Sequence, residues 1–436
     1  MSDDADRTPE PATSHSVDTY TEPSRTTPPP PRPTLADIES ARDVVAGVVR
    51  VTPMETSQFL AEVLGAPVHL KCENLQRTGA YKLRGAYNRL SSLTPDERAR
   101  GVVAASAGNH AQGVALAARE LGVHATIFMP VGVALPKLQA TRGYGADTVL
   151  HGHSVEAALA AAKEFAATTG AVFIPPFDHP DIIAGQGTLG LEILEQVPDL
   201  DTVVIPIGGG GLISGMAIAL KGMAERTGRS IRVVGVQSEH AASYTGSIAA
   251  GTPTTITTTP TIADGIAVAR PGDTNFPIVR DLVDEIVAVS DDDVARALVL
   301  LLERAKLVVE AAGAVGVAAI MAGAVTGTGR TVVMLSGGNI DPLMMERVIT
   351  RGLVAAQRYV GIRVMLPDRP GQLARVAQVI SDAGANVVEV LHTRHGSGLE
   401  ISEVALDLSI EARGPEHAAA VQERLHEAGF RPQVQQ

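Results

Sequence analysis

Lysine is the scarce cation of this chain: only six of its 36 lysines and arginines are lysine, namely Lys71, Lys82, Lys137, Lys163, Lys221 and Lys306. A sequence that uses arginine wherever a plain positive charge suffices needs a reason for each lysine. An amine can lose its proton and form a Schiff base with an aldehyde or ketone, which a guanidinium cannot. Lys82 stands in the stretch Gln76-Arg77-Thr78-Gly79-Ala80-Tyr81-Lys82-Leu83-Arg84-Gly85. Thr78 and Gly79 read as a helix cap and a tight turn, which predicts Lys82 in the first turn of a helix over 80–90. A helix start also favours a phosphate nearby. Taken alone, such a lysine is more often an exposed helix residue, so other groups must give it meaning.

Three loops supply them. Gly208-Gly209-Gly210-Gly211-Leu212 follows an apolar strand and opens a helix. Successive bare amides there make a nest for one phosphate. A dinucleotide fingerprint fits less well, because Ser214 stands where the third glycine of G-x-G-x-x-G belongs and Gln237, not an acid, ends the next strand. Ser106-Ala107-Gly108-Asn109-His110 gathers hydroxyl, amide, imidazole and main-chain donors at a helix start, a set that suits a carboxylate. Simple capping by Ser106 would explain that loop equally well. Ser336, in Ser336-Gly337-Gly338-Asn339, offers a hydroxyl that can bond a neutral ring nitrogen. Metal chemistry lacks its ligands: His392 and His395 would face opposite sides of a strand, and His151 and His153 lack carboxylate or cysteine company.

The elements that must position these loops alternate as strand and helix. Runs at 67–73, 101–105, 124–129, 147–150, 171–174, 202–207, 231–236 and 331–335 read as strands, alternating with helical patterns. Repeated βα units predict open, mainly parallel sheets with ligands at the carboxyl ends of the strands, where all three loops fall. A smaller α/β subdomain is expected at about 80–180. Residues 1–33, rich in Pro, Thr, Ser and Asp, read as a disordered tail. Residues 34–350 form the catalytic domain, 351–358 a linker, and 359–436 a small unit of βαββαβ order with strands at 359–366, 386–393, 399–410 and 430–434.

Composition narrows the function. At 436 residues the chain suits two or three domains, and a formal charge of −12 gives no footprint for nucleic acid or an anionic membrane. No apolar run is long enough for a membrane span, and the single cysteine, Cys72, fits a reducing compartment. A soluble cytoplasmic protein is the expectation.

A reactive lysine, a one-phosphate nest, a carboxylate loop and a ring-nitrogen serine occur together in one family. From Gln76 to Asn88, from Ser106 to Gly113, at glycines 208–211 and at Ser336 to Asn339, the chain resembles the threonine ammonia-lyases (threonine dehydratases). These are fold-type II pyridoxal-phosphate enzymes, here with a C-terminal ACT domain. The likeness spans roughly 34–434. It implies that Lys82 carries the pyridoxal 5'-phosphate and serves as the base, with Tyr81 packed beside the ring. Asn109 would bond the ring hydroxyl, Gly208, Gly209, Gly210, Gly211 and Leu212 would hold the phosphate, and Ser336 would meet the ring nitrogen. Ser106, Ala107, Asn109 and His110 would bind the substrate carboxylate, and Glu310 would lie near the cofactor. The implied reaction is α,β-elimination of L-threonine to 2-oxobutanoate and ammonia, in isoleucine supply, with L-serine giving pyruvate as a side reaction.

Departures from the family sharpen this. Ala80 stands where relatives often have serine. Ala107 replaces the second catalytic serine of the similar racemases, so racemisation should be poor. Gln237 replaces their metal-binding glutamate, so no divalent site is expected. The resemblance also implies an amino-acid or nucleotide effector at the ACT domain and a homodimer or homotetramer. Two other readings stay open: a catabolic serine/threonine dehydratase, and a non-catalytic amino-acid sensor.

Overall fold

The computed structural model describes residues 31–327, 329–394 and 399–435; residues 1–30 of the expected tail and the 395–398 connection lie outside them. Three sheets organise the rest. The largest orders its strands Met54–Thr56, Val68–Cys72, Thr331–Leu335, Thr202–Pro206, Arg232–Ser238 and Glu285–Val289. Only the first pair is antiparallel. A second sheet, all parallel, orders Asp147–Leu150, Ala125–Met129, Val102–Ala105 and Val172–Phe173. Val102–Ala105, Ala125–Met129, Thr202–Pro206 and Thr331–Leu335 are buried throughout, as strands must be when helices cover both faces of a parallel sheet. Small residues permit that cover. In the buried helix Ala311–Met321, a Cβ on Gly316 would fall 2.7 Å from Val333 Cγ1.

The third sheet, antiparallel, orders Asn386–Thr393, Glu403–Glu411, Tyr359–Pro367 and Pro432–Gln435, with helices Gln372–Asp382 and Pro415–Glu427 packed on it. Its apolar core draws only on residues between Val360 and Phe430. Two boundaries differ from expectation. The strand expected at 399–410 begins at Glu403, after a turn. The 351–358 linker is mostly helix, because Pro342–Ala355 continues to Ala355 and leaves only 356–358 before the next strand. Gly352 explains the extension: a Cβ there would sit 2.6 Å from Val299, so this last turn is packed onto the helix Asp291–Leu300.

A buried ion cluster anchors the helix Lys82–Ser91. Arg84, fully buried, donates from Nε to Glu73 Oε2 (2.9 Å) and from Nη2 to Glu73 Oε1 and Glu192 Oε2 (both 2.8 Å). Lys71 donates to Glu192, to Gln196 and to the Thr52 carbonyl. Thr52 Oγ1 donates to Glu73 Oε1 at 2.7 Å. Burial works against the Arg84 charge, but Glu73 and Glu192 outweigh it and raise its pKa further. Two cations thus match two carboxylates, and the strand Val68–Cys72 and the helix Pro180–Gln196 are locked to the helix that begins at Lys82.

Candidate active site

Lys82 is the first residue of its helix, and two backbone hydrogen bonds, which together make the antiparallel bridge between Ala80 and Gly337, hold that start against the Ser336 loop. Tyr81 N donates to Ser336 O (3.2 Å), and Gly338 N donates to Gly79 O (2.8 Å). Gly79, at φ 71°, makes the expected tight turn. Thr78 does not cap the helix: its hydroxyl donates to Ala80 O, and Tyr81 occupies the cap position without a side-chain bond. Lys82 Nζ donates to Pro176 O at 2.9 Å and lies 5.2 Å from the centre of the Tyr81 ring.

Three helix N-termini converge on the cavity that Lys82 lines: those of Lys82–Ser91, Asn109–Leu121 and Gly211–Thr227. None has a side-chain cap. Elsewhere some helices are capped, as those beginning at Leu35, Pro95, Val155 and Asp291 are by Thr34, Thr94, Ser154 and Ser290, and others, such as those beginning at Asn275 and Gln372, are not; what sets the three apart is that they meet at one cavity. The first amides of a helix lack internal acceptors. Leaving them bare around one cavity makes sense if anionic groups fill it. The cavity holds about 330 Å³, within the range of small-molecule sites.

The glycine loop fits a phosphate because nothing larger fits behind it. A Cβ at Gly209 would fall 2.4 Å from the Phe177 ring, and one at Gly210 would fall 2.0 Å from the Tyr244 hydroxyl oxygen. Gly210 also has φ 100°, which an L side chain rarely adopts. Tyr244 Oη donates to Gly209 O, fixing the loop from below. Gly210→Ala is therefore expected to weaken retention of a phosphate-bearing cofactor at least about tenfold, from strain of roughly 1–3 kcal/mol. Cofactor absorbance after dialysis measures it.

Asn109 is oriented at both ends of its amide. Nδ2 donates to Glu310 Oε1 (2.7 Å), and Oδ1 accepts from Asn339 Nδ2 (2.9 Å), which also donates to Thr78 O. The second Nδ2 proton remains for a ligand. Burial, with Asp264 nearby, pushes the Glu310 carboxyl up to about 7, and the bond from Asn109 only partly offsets that. Such a group is neutral in the folded chain at pH values where the unfolded chain has already ionised. Its penalty is absent below the ordinary pKa of 4.5, grows as pH rises to about 7, and is full above that. Glu310→Gln should therefore raise stability by about 2–4 kcal/mol at pH 8 and much less at pH 5. Thermal melts of both proteins at the two pH values check this.

The His110 ring is already engaged on one side. The ring is buried, its Nε2 is paired with Ile174 O at 2.9 Å, and burial together with Lys82 presses its pKa to about 3. It is a neutral, buried histidine that lines the Lys82 cavity, with Nε2 already paired. Ser106 Oγ accepts from Gly108 N and shapes the loop. Tyr81, Lys82, Ser106, Ala107, Asn109, Gly208 to Leu212, Glu310 and Ser336 all line the one cavity, with the buried Ser336 at the end of its strand. Sequence reading missed four neighbours. Phe177, Tyr244 and Asp264 carry no local signal, whereas Lys137 could have been found among the six lysines. Among the described residues no cluster is placed to hold a metal ion, and no helix is long and apolar enough to cross a membrane.

Comparison with known proteins agrees with this geometry. Residues 45–337 match the family described as pyridoxal-phosphate dependent enzyme, and 360–429 match the ACT domain. The L-threonine ammonia-lyase of Thermotoga maritima is 44% identical over 401 residues, covering 92% of this chain and 99% of that protein. Among solved structures, maize serine racemase superposes with a TM-score of 0.69 at 36% identity, over 74% of this chain and 98% of that one. The processed isoform 2 of threonine deaminase from Solanum lycopersicum gives 0.69 at 35%, over 76% and 94%.

Proposed function

The chain belongs to the pyridoxal-phosphate dependent enzymes and carries an ACT domain, and from that premise we propose that it acts as an L-threonine ammonia-lyase, releasing 2-oxobutanoate and ammonia. The observation that carries this reading is the convergence of three uncapped helix starts on the Lys82 cavity. When bound, pyridoxal phosphate supplies an aldehyde that joins amines and a ring that draws electrons from Cα. The amides of Gly208 to Leu212 hold its phosphate, Ser336 bonds its ring nitrogen, Asn109 its hydroxyl, and Tyr81 flanks the ring. The Ser106–His110 loop binds the substrate carboxylate through Ser106, Asn109 and main-chain amides, with Ala107 leaving room. Lys82 Nζ would take the Cα proton, the Cβ–O bond would break with the hydroxyl leaving as water on taking up one proton from solvent, and the released enamine would be hydrolysed by one water to 2-oxobutanoate and ammonia.

The relation to serine racemase is limited by Ala107. Proton exchange on the opposite face needs a second base, and a methyl group cannot provide one. Elimination from the Lys82 face is what remains.

The catalytic domain runs from 34 through the helix that ends at Ala355 and the effector domain spans 359–436, and the enzyme works as a cytoplasmic homodimer or homotetramer. The separate apolar core of the C-terminal unit supports an effector domain that binds an amino acid or a nucleotide. Comparing kcat/KM for L-threonine and L-serine tests the substrate: a clear preference for serine would overturn the reading. Titrating isoleucine, valine and AMP against the intact chain and one ending at Ala355 tests regulation. An identical response from both would remove the effector role.

A further inference from the structure

A second lysine stands at the mouth of the cavity. Lys137, on the helix Leu135–Gly143, donates from Nζ to Asp264 Oδ2 at 3.3 Å. Lys137 belongs to the four-stranded parallel unit and Asp264 to the six-stranded one, so this ion pair bridges the gap between them. Beyond it lies an outer groove of about 800 Å³, and Ala107, Lys137, Asp264 and Glu310 line both spaces. Whatever passes from groove to cavity passes this pair.

The pair is built to be exchanged. The Asp264 side chain is 69% exposed and that of Lys137 only 20%, so the carboxylate half sits in water and holds weakly. Lys137 Nζ also reaches the carboxylate loop: a Cβ on Gly108 would lie 3.9 Å from it. That loop is short of charge. His110 is neutral and turned to Ile174 O, Ser106 and Asn109 are uncharged, and Lys82 is committed to the cofactor and the Cα proton. Lys137 is the cation left over.

We propose that Lys137 recognises the substrate carboxylate, with Asp264 as a stand-in that the incoming amino acid displaces between the two sheets. This rests on the amino-acid substrate assigned above. A charge-assisted bond of this kind is worth about tenfold to a hundredfold in affinity.

The test separates the two ends of the substrate in the holoenzyme. For Lys137→Gln, KM for L-threonine should rise at least about tenfold, with the loss falling in KM more than in kcat. The inhibition constant of butyrate, which has the carboxylate but no amine, should rise in parallel. That of 1-aminopropan-2-ol, which keeps amine and hydroxyl but no carboxylate, should stay within about twofold, and Lys137→Arg should recover part of the loss. Asp264→Asn should tighten butyrate. An unchanged KM, or equal loosening of both inhibitors, would overturn the role. Wild-type enzyme inactive on threonine would instead sink the substrate assignment, and calorimetry of butyrate binding would still decide the role of Lys137.

Discussion

Lys82→Ala should lower kcat for L-threonine by about four orders of magnitude while leaving the fold intact. In the mechanism proposed above the lysine amine takes the proton from Cα, and the site built around it holds its backbone rather than its side chain. Tyr81 N on Ser336 O and Gly338 N on Gly79 O survive the substitution. The described side-chain bond that disappears is the one from Nζ to Pro176 O. Stability should therefore change by less than about 1 kcal/mol. Lys82→Arg should be no better than alanine, because a guanidinium stays protonated and cannot join an aldehyde. Steady-state release of 2-oxobutanoate, with circular dichroism as the folding control, measures both parts. Retention of a tenth of the wild-type rate would show that another base serves Cα.

Arg84→Met should be the reverse, a stability lesion two residues from the base. The substitution leaves Glu73 and Glu192 in a buried cluster with Lys71 as the remaining cation. Breaking one side of such a cluster costs about 3–5 kcal/mol, because an uncompensated charge stays buried. Arg84→Lys should recover only part, since a single ammonium cannot form the paired bonds to Glu73 and also reach Glu192. Combining Arg84→Met with Glu73→Gln should cost less than the sum of the two, since each substitution removes the partner the other strands. Denaturant unfolding of the catalytic unit reads all four proteins. An unchanged midpoint in Arg84→Met would mean that the cluster contributes nothing to stability.

That cluster also marks where the sequence stopped being legible. The buried strands were readable because parallel strands covered on both faces become continuous apolar runs, as at 202–206 and 331–335. The loops were readable because glycine and serine at strand ends have few other uses. Nothing in the sequence marks Arg84, Glu73 and Glu192 as partners. Their meeting depends on packing between segments 11 and 108 residues apart, which no local pattern encodes. Met54–Thr56 was missed as too short to alternate. Glu285–Val289 was missed for a different reason: it is an edge strand with partly exposed residues. His110 shows the converse: its residue type drew notice in the sequence, but the pairing of its ring with Ile174 O could not be read there.

The short junction at 356–358 bears on heredity. The apolar core on its far side shares no residue with the cores before it. Within the junction itself, Arg358 pairs with Glu303 of the catalytic unit. A recombination event at this point would divide the gene without cutting through packed side chains, so the C-terminal unit can be gained, lost or exchanged whole. A break a few codons earlier would remove Gly352 and Val348, which are packed into the catalytic unit. Lineages that discard the unit should therefore keep the helix through Ala355 and end just beyond it.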